Sequence, residues 1–438
     1  MNLQLKLLLL LFFLGLLAAC NAPEKKPNVI LIMADDMGYE CLSVNGATAY
    51  QTPNLDRLAE NGLRFINTLS QPLCTPSRVK IMTGKYNYRN YEYFGYLNPD
   101  QKTFGNLMQE AGYTTCISGK WQLNGITFKR PGFESEDRPN HFGFDEYCLW
   151  QLNRPRKDGE RYANPLITQN GRELTGREDR YGPDIFSDFI CDFIDKNHKS
   201  PFFIYYPMVL VHEPFVPTPN SEAWGELERR YEKDTSYFKE MMSYTDKIVG
   251  KIERKLIEKG IAKNTLLIFT ADNGTDTHIV TQTIDGQYPG GKSFTTQRGI
   301  HVPMIVSWPG QLGNLGIYSG IIDFGDFYPT LAEIANQDIS NEQMDGQSFL
   351  GALMTKSSIS KSNTMIHYDP EWGNASKRRN RFAMNEQYKL YQNGALYDYR
   401  SDIDEQKPVS YLTQEQRRIK TELEKLLLKA EREARWKK

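Results

Sequence analysis

Two near-continuous apolar runs constrain this chain most: Pro27-Asn-Val-Ile-Leu-Ile-Met-Ala34 and Asn264-Thr-Leu-Leu-Ile-Phe-Thr-Ala271. A strand with one wet face alternates apolar and polar residues. A run without alternation suits a parallel strand covered on both faces. Each run ends on a polar pair, Asp35-Asp36 in the first and Asp272-Asn273 in the second. In open α/β sheets the ligand site lies beyond the carboxyl ends of the strands, and both pairs fall at such ends. The carboxylates of Asp35, Asp36 and Asp272 and the amide oxygen of Asn273 make a hard-oxygen set that suits Ca²⁺ or Mg²⁺. Asp and Asn are also common in strand-end turns, so either pair alone reads as a turn. The matching context of the two points to one shared metal site.

The rest of the chain alternates in the same manner. Asn54–Gly62 reads as a helix with a glycine stop after Thr52-Pro53, and Gly62–Asn67 as a strand. Phe104–Gly112 is a helix, Tyr113–Ser118 a strand opening onto Gly119-Lys120-Trp121-Gln122, and Phe186–Ile194 a helix. Phe202–Tyr206 is a strand leading to His212, Tyr237–Gly260 a long amphipathic helix, Val302–Trp308 a strand and Phe324–Ala335 a helix. This order predicts an α/β fold: a large mixed, mostly parallel sheet sandwiched by helices. Residues 123–182 and 274–299 show little periodicity. Long loops of this kind are often functional, and these are expected to wall a substrate cleft. After Ser360 the pattern changes. Ser362–Tyr368, Phe382–Tyr391 and Ala395–Tyr399 read as strands of a small antiparallel sheet, with Gln392-Asn-Gly394 as a turn. Thr413–Lys438 reads as a charged terminal helix docked by Leu423, Leu426 and Leu427.

At the other end, Met1-Asn-Leu-Gln-Leu-Lys6 precedes an apolar stretch through Ala19, the form of an export signal. It is short for a membrane span, which needs about 20 apolar residues. Leu17-Ala-Ala-Cys20 resembles a bacterial lipobox, which implies a signal over 1–19, an acylated Cys20 and a tether over 20–26. Asn21 at the next position is compatible with transport to the outer membrane, facing periplasm or cell surface. An ordinary secretory signal with an incidental Cys20 is the alternative. The 53 basic and 54 acidic residues leave a net charge of −1, so no global field favours nucleic acid. An anionic partner needs a local cationic cluster. The cysteines beyond Cys20 are Cys41, Cys74, Cys116, Cys148 and Cys191, an odd and scattered set with no zinc-ligand pair.

One of them has unusual surroundings. Gln71-Pro-Leu-Cys-Thr-Pro-Ser-Arg-Val-Lys-Ile-Met-Thr-Gly84 sets Cys74 beside a Pro-Ser turn, four residues before Arg78. Val79–Met82 can continue a helix, and free N–H groups near a helix start favour an anion. On spacing alone Cys74 reads equally as a buried thiol after a turn.

Taken with the acidic pairs, the Cys-X-Pro-Ser-Arg motif and the following Thr-Gly resemble the formylglycine-dependent (type I) sulfatases of the alkaline-phosphatase-like superfamily. The resemblance runs from the Asn28 region to Leu396-Tyr-Asp-Tyr399. It implies a catalytic domain over 27–358 and a C-terminal subdomain over 359–438. It also implies oxidation of Cys74 to formylglycine by a maturation enzyme, with Ser77 inside the modification motif and Arg78 holding the hydrated aldehyde. The metal would be Ca²⁺ in preference to Mg²⁺, held by Asp35, Asp36, Asp272, Asn273 and the modified Cys74. Gly119-Lys120-Trp121 makes Lys120 a sulfate contact. His212 would be the acid for the leaving alcohol, with Lys292, in Gly291-Lys-Ser-Phe-Thr-Thr296, close by.

Two departures accompany the resemblance. The family usually has histidine after Gly-Lys-Trp, and here Gln122 stands there. Glutamine has no basic nitrogen, so it orients or hydrogen-bonds without taking a proton. Where Glu-Gly-Gly-X-Arg is common before Val-Pro, this chain has Gln297-Arg-Gly-Ile-His301. The leading expectation is hydrolysis of a sulfate ester on a carbohydrate, with algal polysaccharides such as ulvan or carrageenan in view by analogy. The alternatives are a phosphodiesterase or phosphonate hydrolase of the same superfamily, and a non-catalytic glycan-binding lipoprotein.

Overall fold

The structure, a computed structural model, describes residues 26–155, 160–176, 178–355, 361–369 and 379–433. The export signal, Cys20 and the tether up to residue 25 lie outside the described residues.

The main sheet is built from β1 (Asn28–Ala34), β2 (Leu63–Leu69), β3 (Thr114–Lys120), β4 (Glu146–Trp150), β5 (Ile167–Gln169), β6 (Arg172–Glu173), β7 (Phe202–Pro207) and β8 (Thr265–Ala271). A hairpin of β9 (Val280–Thr283) and β10 (Gly286–Pro289) stands apart. The sheet then gains β11 (His301–Ser307), β12 (Gly316–Tyr318) and β13 (Ile322–Asp323). The strand order is β12-β2-β11-β8-β1-β7-β3-β4-β5-β6, with β13 also on β2. From β8 to β4 neighbouring strands are parallel, and β11 runs antiparallel to both β8 and β2. Every residue of β1, β7 and β8 is buried, as the unbroken apolar runs require. Helices Pro53–Glu60, Gly182–Asn197 and Tyr237–Glu258 form one touching group; Cys74–Thr83, Phe104–Glu110 and Phe327–Ile334 form another.

A second sheet of four antiparallel strands follows: β14 (Thr364–Tyr368), β15 (Asn380–Met384), β16 (Tyr388–Tyr391) and β17 (Leu396–Asp398). The helix Gln414–Glu433 closes it with buried Leu423, Leu427 and Ala430, while Leu426 is only half-buried. This sheet touches the segment that follows Lys292. Lys389 on β16 donates to the carbonyl of Thr295 and lies 2.7 Å from the Glu405 carboxylate.

Three expectations are corrected. Phe382–Tyr391 is two strands, because the Asn385 side chain accepts from the Gln387 and Tyr388 amides and turns the chain back. The aperiodic segment 123–182 contains the buried strand β4, and 274–299 contains the β9–β10 hairpin. Gly119 and Lys120 lie on β3 rather than beyond it. The five described cysteines are all buried and free.

Candidate active site

Register builds the acidic cluster. Ala34 on β1 pairs with Ala271 on β8, so the next residues, Asp35 and Asp272, leave the sheet side by side. The chain turns sharply at Asp36, whose φ is 59°, a left-handed value that Asp tolerates better than most residues. The Asp36 amide donates to Asp272 Oδ1 at 3.1 Å, and Asn273 Nδ2 donates to Asp36 Oδ1 at 2.8 Å. All four side chains are fully buried. Burial raises every carboxylate in such a place, and neighbouring charge decides the outcome. Asp35 ends below its ordinary value: burial is outweighed by Lys120, Arg78, Arg161 and Lys292. Asp36 and Asp272 end above theirs, through burial and the charge of Asp35, despite the cations nearby.

These residues fit a hard divalent cation. Asn273 uses its Nδ2, yet its buried Oδ1 has no hydrogen-bond partner among the described residues. The same side chain touches Asp36, and Asp36 and Asp272 are raised by burial first and then by the charge of the crowded Asp35. A small cation would satisfy the oxygen and relieve the crowding together.

Cys74 opens the helix Cys74–Thr83 after an extended Leu73, and all ten helix residues are buried. Behind the turn, Ser77 Oγ accepts from the Gln71 amide at 2.9 Å and donates to the Gln71 carbonyl at 3.1 Å. At the far end Gly84 takes a φ of 68° and caps the helix through its N–H to the Lys80 carbonyl. One helical turn from Cys74, Arg78 Nη1 donates to the Lys120 carbonyl at 2.7 Å and Nε lies 3.4 Å from Asp272 Oδ2. Lys120 Nζ spans both oxygens of Asp35, at 3.0 and 2.7 Å. Burial pushes the Cys74 thiol above its ordinary value. As a plain cysteine it is therefore a poor nucleophile, since only the thiolate attacks.

The opposite wall carries His212 and Lys292. Lys292 Nζ lies 2.6 Å from Asp36 Oδ2 and 3.1 Å from His212 Nε2. His212 Nδ1 is 2.7 Å from the Glu213 carbonyl, an acceptor only, so Nδ1 carries the proton and Nε2 the lone pair. Burial, then the charges of Arg161, Lys292 and Lys120, hold His212 well below the ordinary imidazole value. Burial works against the Lys292 ammonium, but Asp36 and Cys74 hold it above its usual range. The neutral partner is thus His212, and the proton resides on Lys292.

Set against known proteins, residues 27–337 match the family model described as Sulfatase, and residues 290–433 match "N-sulphoglucosamine sulphohydrolase, C-terminal". The chain belongs to the sulfatase family. It is 31% identical to the N-acetylgalactosamine-6-sulfatase of Mus musculus over 390 residues, covering 80% of this chain and 70% of the relative. It is 30% identical to arylsulfatase A of Homo sapiens over 363 residues, covering 75% and 68%. Among solved structures it resembles Ps i-CgsB, with a TM-score of 0.77, 26% identity and 94% of each chain covered. This protein is a type I sulfatase of the alkaline-phosphatase-like superfamily, a hydrolase with that superfamily's mixed, mostly parallel sheet.

The remaining expected site residue in this sulfatase is Gln122. It follows β3 with a φ of 49°, and its amide donates to the Gln151 carbonyl at 3.3 Å. Its buried Oε1 has no hydrogen-bond partner among the described residues. Two further residues belong to the site and were missed. Glu40 accepts from the Thr275 hydroxyl beneath the acidic turns. Arg161 Nη1 lies 3.9 Å from Asp35 Oδ2. Arg161 sits where the sequence shows no period, so no pattern marked it. Glu40 follows Asp36 closely, and a lone Glu after an acidic pair reads as surface charge.

Proposed function

We propose that this sulfatase removes sulfate from a sulfated carbohydrate, with formylglycine at position 74 and a divalent cation, Ca²⁺ first, held by Asp35, Asp36, Asp272 and Asn273. The observation that carries this reading is the convergence around Cys74 of the buried carboxylates Asp35 and Asp272 with the cations Arg78, Lys120 and Lys292. A hydrated formylglycine supplies an oxygen nucleophile and a second hydroxyl whose deprotonation ejects sulfate, and the cation supplies charge compensation.

The chain's own residues do the remainder. Arg78 is anchored on Lys120 O and Asp272, so its guanidinium is fixed before substrate arrives. Lys120 and Lys292 bring positive charge to bear on the sulfuryl oxygens. The proton for the leaving alcohol is held on Lys292 Nζ and shared with His212 Nε2. Afterwards His212 Nε2 is the basic nitrogen in place to take a proton back. Gln122 offers an amide for orientation and no base.

The carbohydrate part of the reading draws on the relatives. Ps i-CgsB has also been solved with k-i-k-neocarrahexaose, at a TM-score of 0.75 and 26% identity to this chain. A carrageenan-type oligosaccharide is therefore the first substrate to try, with ulvan oligosaccharides and N-acetylgalactosamine 6-sulfate beside it. The lipobox-like Leu17-Ala-Ala-Cys20 supports a membrane-anchored, exported enzyme that meets such polymers. The test is sulfate release from defined sulfated oligosaccharides by protein made with a maturation enzyme. Release from at least one is expected. No release from any, with turnover of a phosphodiester or phosphonate instead, overturns the reading.

A further inference from the structure

Strand β16 divides its residues between two faces. Tyr388 and Leu390 pack with the terminal helix, whereas Tyr391 joins Leu73, Ile300 and Phe382 in a second apolar cluster. Lys389 alternates with Tyr388 and Leu390, so it shares the face of Tyr391. That face meets the start of the catalytic helix, since Leu73 directly precedes Cys74. Lys389 is fully buried there, its ammonium 4.0 Å from the centroid of the Phe382 ring and 5.1 Å from that of Tyr391.

The polar contacts of this lysine lead to the loop that carries Lys292. Lys389 Nζ donates to the Thr295 carbonyl and lies 2.7 Å from Glu405 Oε1. The Tyr391 hydroxyl donates to Glu405 Oε2 and is 3.1 Å from the Thr295 hydroxyl. With its one proton given to Glu405, Tyr391 accepts from Thr295. Thr295 is thus held by both its carbonyl and its side chain. Next to Glu405, Asp404 takes Arg298 through two contacts, at 2.6 and 3.1 Å. Toward the site the same loop is tied to the catalytic turns. The Lys292 amide donates to the Thr275 carbonyl at 2.9 Å, and the Ser293 amide to the Pro72 carbonyl at 2.8 Å. Ser293 takes a φ of 75°, a left-handed value that a serine keeps only where its surroundings impose it.

A buried ion pair adds little to stability over apolar side chains of similar volume. Burial brings the Lys389 ammonium from 10.5 down to about 8, with Glu405 opposing, so the charge is kept at a cost. What it supplies is a fixed donor aimed at the Thr295 carbonyl.

We infer that Lys389, held by Glu405, is a positioning residue for Lys292: through Thr295 it fixes the loop that brings Lys292 Nζ to Asp36 and His212. The inference rests on the reading above, in which Lys292 holds the proton for the leaving alcohol. It makes the small C-terminal sheet part of the catalytic apparatus. Lys292 Nζ has contacts of 2.6 and 3.1 Å to keep, and a misplacement of about 1 Å costs on the order of 10²-fold in rate.

The test uses full-length matured enzyme and two sulfate esters. A carrageenan-type oligosaccharide releases a sugar alcohol, which needs a proton to leave, whereas 4-nitrophenyl sulfate releases a phenolate that does not. Lys389→Met combined with Glu405→Gln removes the ion pair without leaving a buried charge unpaired. Tyr391→Phe removes the hydroxyl link to Thr295, keeps the ring, and decides the matter if the double variant fails to fold. In both, kcat on the oligosaccharide should fall about 10- to 100-fold with KM little changed, and kcat on 4-nitrophenyl sulfate should fall far less. Hydrogen exchange at the amides of residues 292–297 should quicken in the same variants. Equal losses on the two esters, or unchanged exchange over 292–297, in a folded variant make Lys389 a structural residue and overturn the inference alone. Lys292→Ala separates the parent reading: equal losses on the two esters in that variant overturn the proton's place on Lys292 and this inference with it. If the wild-type enzyme turns over neither ester, the exchange measurement decides, and unchanged exchange overturns the inference.

Discussion

Replacing Glu40 with glutamine should stabilise this sulfatase above neutral pH and leave it nearly unchanged in acid. Glu40 is 5% exposed and accepts from the Thr275 hydroxyl, which itself accepts from the Gly38 amide at 2.9 Å. The contact ties the turn after β1 to the turn after β8. Burial raises the Glu40 carboxyl from 4.5 to about 7, with Thr275 and Arg298 opposing. The folded state therefore keeps a proton that the unfolded state has lost. Its contribution to stability is fully present below pH 4.5 and disappears as pH rises through about 7. The difference between 4.5 and about 7 corresponds to about 3 kcal/mol at alkaline pH. Glu40→Gln keeps an acceptor for Thr275 and abolishes the ionisation. Thermal melts of both proteins from pH 4.5 to pH 8.5 provide the assay. The variant's advantage should open across that window and reach a plateau. Parallel curves, or an advantage largest in acid, would refute the argument from burial.

Other expectations concern the chemistry directly. His212→Ala should cost about 10²- to 10⁴-fold in rate, the general acid–base range, whereas Gln122→Ala should cost only about 10- to 100-fold through lost positioning. Single-turnover kinetics on a sulfated substrate separates the two, and equal losses contradict the assignment. Asp35→Ala and Asp272→Ala should each lower bound divalent metal and rate together, read by elemental analysis. Because Asp272 is raised by burial and the Asp35 charge, Asp272→Ala should also raise the melting temperature of metal-free protein. Stoichiometric zinc, or full activity after exhaustive chelation with no metal retained, contradicts the oxygen-ligand site.

Much of the site was legible because its residues sit where local rules are strong. The runs before Asp35 and Asp272 announce buried parallel strands, and the strand-end rule then joins two pairs more than two hundred residues apart in sequence. Cys74, Arg78, Lys120, His212 and Lys292 were legible through motif resemblance, and the structure brings them together. The proton's location was not legible. It depends on which His212 nitrogen meets the Glu213 carbonyl, a matter of side-chain rotation. Arg161 was hidden because its position follows from β4 pairing with β3, inside a stretch without period. The hairpin at Asn385 was hidden by the flanking β-formers, which read as one strand until the Asn side chain's turn is seen.

The most direct measurement of the central claim is mass spectrometry of the peptide carrying residue 74, made on the same preparation assayed for sulfate release. The thiol at this position is buried and held protonated, so the account requires a different nucleophile there. It predicts an aldehyde at position 74, sulfate release in proportion to its occupancy, and no release from folded Cys74→Ala. Full activity in protein whose Cys74 is entirely thiol, or a wild-type rate in Cys74→Ala, would contradict it.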